Sequence, residues 1–175
     1  AYTDQCVGTV IAQLKALDLY DSTLIIVTAD HGEMLGEHGE MTHAYTIYQG
    51  AIRVPLIFKL PGREEPHVVS ERVGIIDIVP TVCRLLGIDV PPDVQGMDLS
   101  EGLAGKDLPE RPSLLYCESL LPTTYNANPL LGVVDNKWKY IRTTRPELYI
   151  LVQDPAESRN LVESHARQAR YLQQH

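Results

Sequence analysis

No apolar run in this 175-residue sequence approaches the roughly 20 residues that a membrane-spanning helix needs. The first residues also lack the basic-then-apolar pattern of a secretory signal. A basic stripe is missing too: 15 Lys and Arg stand against 23 Asp and Glu, for a net charge of −8. That balance speaks against nucleic acid as a partner, because a phosphate backbone is held by clustered cations. Cysteine is scarce. Cys6, Cys83 and Cys117 are odd in number and far apart, which argues against a disulfide framework and against a cysteine zinc site and leaves buried free thiols as the expectation. Internal repeats and low-complexity tracts are absent. Compartment and oligomeric state stay open. The start is abrupt, since Ala1-Tyr2-Thr3 leads at once into an amphipathic segment, and this predicts that Ala1 is not the natural beginning of the protein.

What is present suits a globular α/β chain whose length and 44% apolar content allow a core. The most informative stretch is Asp30-His31-Gly32-Glu33, directly after the apolar run 24–29. A strand ending in Asp-His brings a hard carboxylate and an imidazole to the carboxyl edge of a sheet, where open α/β proteins bind ligands. Two such donors suit a divalent cation, and the glycine behind them permits close backbone approach. The plainer alternative is a helix-capping Asp beside a core histidine.

Val7, Val10, Ile11, Leu14 and Leu17 recur at helical spacing and predict a helix over 3–17 with one buried face. Thr23 to Thr28 reads as a strand covered on both faces. Helix, short loop and strand together suggest a parallel sheet layered with helices. Gly32 to His43 is a polar, glycine-punctuated loop, followed by a short helix over 45–51 and a second strand over 54–59. Asp77 is placed to cap a helix reaching Leu86, with Gly87 as its stop. A loop over 64–69 and a Pro- and Gly-rich crossing over 88–112 complete this part. Short strands over 114–118, 131–134, 137–143 and 148–152, with a tight turn at Asp135-Asn136, then a helix over 164–174, describe a small antiparallel sheet with a terminal helix. The expected organisation is a first part, 1–112, and a C-terminal subdomain, 113–175.

Several stretches, taken in order, resemble the C-terminal portion of the sulfatase family in the alkaline-phosphatase-like superfamily. They are 21–33, Leu35-Gly36-Glu37-His38-Gly39, 48–57 (Tyr-Gln-Gly-Ala-Ile-Arg-Val-Pro-Leu-Ile) and Ile76-Asp77-Ile78-Val79-Pro80-Thr81. Gly96-Met97-Asp98-Leu99, Trp138-Lys139-Tyr140-Ile141 and the tail from Glu147 to Leu161 follow in the family's order. The resemblance implies part of an alkaline-phosphatase-like core sheet with flanking helices. It implies that Asp30 and His31 are metal ligands, for calcium or, given the nitrogen donor, manganese or zinc. His43 occupies the place where many members carry a lysine that contacts the ester oxygens, and a protonated imidazole supplies the same charge and donor. Glu33, Glu37 and His38 are expected to be mostly solvated, Lys59 to point outward, Arg53 to pair with a carboxylate, and Trp138 and Tyr140 to pack the small sheet.

The family's nucleophile is a formylglycine matured from a Cys/Ser-x-Pro-x-Arg segment, accompanied by an aspartate pair, and neither occurs in this sequence. Cys6, Cys83 and Cys117 are followed by Val-Gly-Thr, Arg-Leu-Leu and Glu-Ser-Leu. The resemblance therefore implies hydrolysis of a small-molecule or glycan sulfate ester with a nucleophile from upstream of Ala1. A phosphodiester or phosphonate monoester hydrolase of the same superfamily, or a non-catalytic anion-binding module, are the alternatives.

Overall fold

The computed structural model describes residues 2–63, 65–110 and 114–175. Glu64, which opens the loop expected over 64–69, lies outside the described residues, as do the end of the crossing at Pro112 and the boundary expected between 112 and 113. The chain divides into two compact units, Ala1–Thr28 with Pro55–Val68, and Ala29–Val54 with Val69–His175.

In the first unit, helix α1 (Tyr2–Ala16) precedes strands β1 (Ile25–Thr28) and β2 (Leu56–Lys59). The strands pair antiparallel, with Ile25 opposite Lys59 and Thr28 opposite Leu56. The parallel pairing expected for β1 is thus not found among the described residues, because an apolar run carries no information about the direction of its neighbour. The buried face expected of α1 is not found either: none of its residues is buried, and Val10 is 60% exposed. Lys59 does not point outward. Its ammonium donates to the main-chain oxygens of Tyr20, Asp21 and Thr23 and lies 4.4 Å from the Tyr20 ring centroid. It thereby ties the turn between α1 and β1 to the end of β2.

The second unit holds the buried apolar residues. Strands β3 (Leu115–Ser119), β4 (Leu130–Val134), β5 (Trp138–Arg142) and β6 (Glu147–Ile150) form an antiparallel meander in chain order. Alternation along each strand splits the side chains between two faces. Val134, Ile141 and Tyr149 pack with Ile47 on one face. Val133, Tyr140 and Leu148 pack on the other against Ala169 and Leu172 of helix α5 (Ala166–Gln173). The β4–β5 turn closes as expected, its Asp135 carboxylate accepting the Lys137 N–H at 2.7 Å.

Helices α2 (Gln49–Ile52), α3 (Ile78–Leu86) and α4 (Ser100–Leu103) complete the unit. Gly87 ends α3 at φ 66°, a left-handed value that suits glycine. Asp77 precedes α3 but does not cap it. Its fully buried carboxylate accepts the N–H groups of Gly74 at 2.8 Å and Met97 at 2.9 Å. Thr81 continues the tie, donating to the Asp77 carbonyl at 2.6 Å and accepting the Leu99 N–H at 2.9 Å. Two loops distant in sequence are held together by this pair. No helix among the described residues is long and apolar enough to cross a membrane. All three cysteines are free, but none is fully buried: Cys6 is exposed, and Cys83 and Cys117 are half-buried.

Candidate active site

Asp30 and His31 follow β1 by two and three residues and begin the second unit. Gly32 behind them donates its N–H to the Ala51 carbonyl at 2.7 Å. A Cβ at this position would collide with the Gly50 carbonyl oxygen, so only glycine lets the two backbone segments approach this closely. Met34, wholly buried, anchors the next turn of the loop.

That anchoring leaves the polar side chains presented outward. The His31 Nδ1 lies 2.8 Å from the carbonyl oxygen of Gly32, a contact in which Nδ1–H donates and which leaves Nε2 to other partners. A backbone carbonyl behind a histidine is the usual way a protein orients an imidazole for a metal. The Nε2 atom lies 3.6 Å from Asp30 Oδ2, and the Asp30 side chain is 88% exposed. Oxygen and nitrogen donors therefore converge on the solvent side of the loop. Among the described residues no cluster of three or more His, Cys, Asp or Glu is arranged around one point, so Asp30 and His31 stand as a pair of candidate donors.

His43 joins this pair. Its ring stacks on His31 with centroids 4.0 Å apart and planes 24° from parallel. Its Nδ1 lies 3.0 Å from Glu33 Oε2, which directs Nε2 away from the carboxylate. Glu33 is thus a partner of His43 and not merely solvated. Glu37 and His38 also have structural partners: Glu37 accepts the Leu35 N–H at 2.6 Å, which lowers its pKa. His38 meets the Ala156 carbonyl through Nε2 at 2.9 Å and stacks on Tyr48 at 3.7 Å. A cavity of about 280 Å³ opens beside His31 and His43, walled by Thr46, Ile47, Glu118 and Leu121.

The loop and the residues after it are gripped, from the four-stranded sheet and from the turn that follows it, by groups that the sequence reading passed over. Ser119 donates to the Ala44 carbonyl, and Lys139 to that of Ile47. Glu157 accepts the Gln49 N–H at 2.5 Å, and Tyr48 donates to Glu147 at 2.9 Å. The signal for Lys139 was present: alternation in Trp138-Lys139-Tyr140-Ile141 puts it on the same face as Ile141. No local pattern links Glu157 or Glu33 to its partner. Trp138 lies 5.1 Å from the His165 ring, and Tyr140 is buried in the sheet.

The sulfatase family model matches residues 1–88 of this sequence. The chain belongs to the sulfatase family. Curated relatives extend the likeness beyond residue 88. Mouse (Mus musculus) arylsulfatase K is 31% identical over 170 residues, which cover 92% of this chain and 31% of that protein. A choline-sulfatase of Rhizobium meliloti is 34% identical over 169 residues, covering 94% of this chain and 32% of that protein. This sulfatase-family chain thus spans about a third of the length of the curated relatives it matches. Among solved structures, the phosphonate monoester hydrolase of Silicibacter pomeroyi superposes with a TM-score of 0.81 at 30% identity, over 98% of this chain and 37% of that one. The fold is accordingly α/β of the alkaline-phosphatase-like kind, as the ordered motifs led one to expect.

Proposed function

We propose that the protein containing this chain is a metal-dependent sulfatase that hydrolyses small-molecule or glycan sulfate esters. Asp30 and His31 are its metal ligands within this sequence, and His43 is the group that meets the ester oxygens. The observation that carries this reading is the convergence of Asp30 Oδ2 and His31 Nε2, 3.6 Å apart, with His43 stacked on His31 at 4.0 Å. A divalent cation bound there, calcium or alternatively manganese or zinc, supplies positive charge that orients sulfate oxygens and favours the ionised form of a nearby nucleophilic hydroxyl. The nucleophile assigned to the family, a formylglycine, comes from residues outside this sequence.

The chain's own residues then have distinct tasks. Gly32 holds the His31 ring through its carbonyl oxygen and so keeps Nε2 available. Glu33 holds Nδ1 of His43 and leaves Nε2 to face the oxygen from which sulfur departs. A proton on that nitrogen meets the charge that develops there. The cavity beside the two rings receives the alcohol portion of the ester.

Hydrolysis of p-nitrophenyl sulfate by the intact protein, with calcium or manganese supplied, is the test. Asp30→Ala is expected to lower turnover about 100-fold or more and to abolish the calorimetric signal of metal binding. One observation favours a second reading: the superposition on a phosphonate monoester hydrolase at a TM-score of 0.81. Turnover of p-nitrophenyl phenylphosphonate with none of the sulfate ester replaces the sulfatase by that enzyme class. Turnover of neither, in the presence of metal, replaces both by a non-catalytic anion-binding module.

A further inference from the structure

The second unit contains one fully buried ion pair among its described residues, and both charges are spent on the segment that carries His43. Lys139 stands in β5 on the sheet face that packs against Ile47, with no exposed side-chain surface. Its ammonium lies 2.6 Å from Glu157 Oε1 and also donates to the Ile47 carbonyl. The other carboxylate oxygen, Oε2, accepts the Gln49 N–H at 2.5 Å. The pair therefore straddles Tyr48, holding the carbonyl before it and the N–H after it.

Such a pair is a poor way to fill space. Burial lowers the pKa of Lys139, and well-packed apolar residues stabilise a core as well as or better than a buried ion pair does. What apolar residues cannot supply is direction. A carboxylate and an ammonium, fixed against each other, grip one donor and one acceptor of a neighbouring main chain at set positions. The backbone of Glu157 carries a second indication. Its φ of 53° is left-handed, a conformation that is costly for a non-glycine residue and persists only where its surroundings over-determine it. The turn that holds it there is built by Asp154, whose carboxylate accepts the N–H groups of Ser158 at 3.0 Å and Arg159 at 2.9 Å.

We propose that Lys139 and Glu157 are positioning residues, a buried clamp on Ile47 and Gln49 that holds the preceding loop so that the His43 ring stays against His31. The inference rests on the reading of His43 given above, but it is tested without turnover. In the full chain, the Gln49 amide is expected to exchange with deuterium as slowly as the amides of β5. Exchange at the rate of an exposed loop amide overturns the clamp, and this measurement needs no variant. Glu157→Gln and Glu157→Leu then separate direction from charge, since both lose the charge but only leucine loses the acceptor. With leucine, Gln49 protection falls about tenfold or more and the nuclear Overhauser contact between the His31 and His43 rings disappears, whereas glutamine, which keeps one acceptor oxygen for the Gln49 N–H but loses the carboxylate beside Lys139, retains more of both. Equal protection and an intact ring contact in both variants overturn the proposal. His43→Ala assayed on the sulfate ester tests the role of His43 separately, so a failure there does not alter the exchange and ring-contact results.

Discussion

Two regions of this molecule use apolar sequence to opposite effect. In the unit of α1, β1 and β2, no described residue is buried: the helix presents Val7 and Val10 to solvent, and among the described residues the two strands form a sheet of their own. In the unit of β3 to β6, strands of similar length carry side chains buried on both faces, one under the Ile47 segment and one under α5. The difference is not composition but layers. Among the described residues the two-stranded ribbon keeps its side chains at most half-buried, whereas the four-stranded meander is covered on both faces. The loop bearing Asp30, His31 and His43 belongs to the better-packed unit, and its polar groups are fixed by that unit's interior.

The largest expected contrast comes from removing one member of the buried pair. Lys139→Met leaves the Glu157 carboxylate uncompensated in the interior and is expected to cost about 3–5 kcal/mol, read as a lower urea midpoint for the sheet amides. Little or no loss would place the second unit on the same footing as the first. Asp77→Ala is next. It strands the half-buried N–H groups of Gly74 and Met97 and is expected to cost about 2–4 kcal/mol, measurable in the same denaturation curves.

Alkaline pH sharpens the contrast within the core. Tyr48 and Tyr149 both donate to Glu147 Oε2, at 2.9 and 2.6 Å. Burial first, and then Glu147, raise both phenols above the ordinary value of 10.0. In the unfolded chain these phenols ionise near 10.0, so above that pH the unfolded state binds fewer protons than the folded one. Stability from this pair is therefore complete below pH 10 and is lost as pH rises further. Tyrosinate absorbance should show two groups that titrate only as the circular dichroism of the sheet collapses, and titration before that collapse would refute the assignment. The smallest effect is expected in the first unit. Val10→Ala, on a helix face with no buried residue, should change stability by less than about 0.5 kcal/mol. A loss of several times that would mean that α1 is covered in solution.

Much of the architecture could be read before any coordinates. The four short strands, the Asp135-Asn136 turn between two of them and the end of α3 at Gly87 were all legible in the sequence. The run into Asp30-His31 announced the candidate metal edge, because residue chemistry and strand placement are both local. Less was legible wherever the partner lay far along the chain. Lys59 looked like a solvent-facing strand end, and Asp77 like a cap. Their partners, the 20–23 turn and the Met97 loop, could not be identified from local spacing.

The sequence by itself determined the family, the local elements and the residue types offered at the site: a carboxylate and imidazole in succession, a further histidine in the following loop, and glycine where two backbones meet. Helical and strand periods, turn chemistry and metal-donor preference act over a few residues and need no folded context. Only the tertiary structure decided that β1 and β2 run antiparallel, that α1 stays uncovered, and that Glu33 holds His43 against His31. It alone decided that Lys139 and Glu157 meet beside Ile47 and Gln49. Those outcomes depend on which distant groups satisfy each buried donor, acceptor and charge, and on which faces gain a second layer. That is a property of the packed chain and not of any stretch of it.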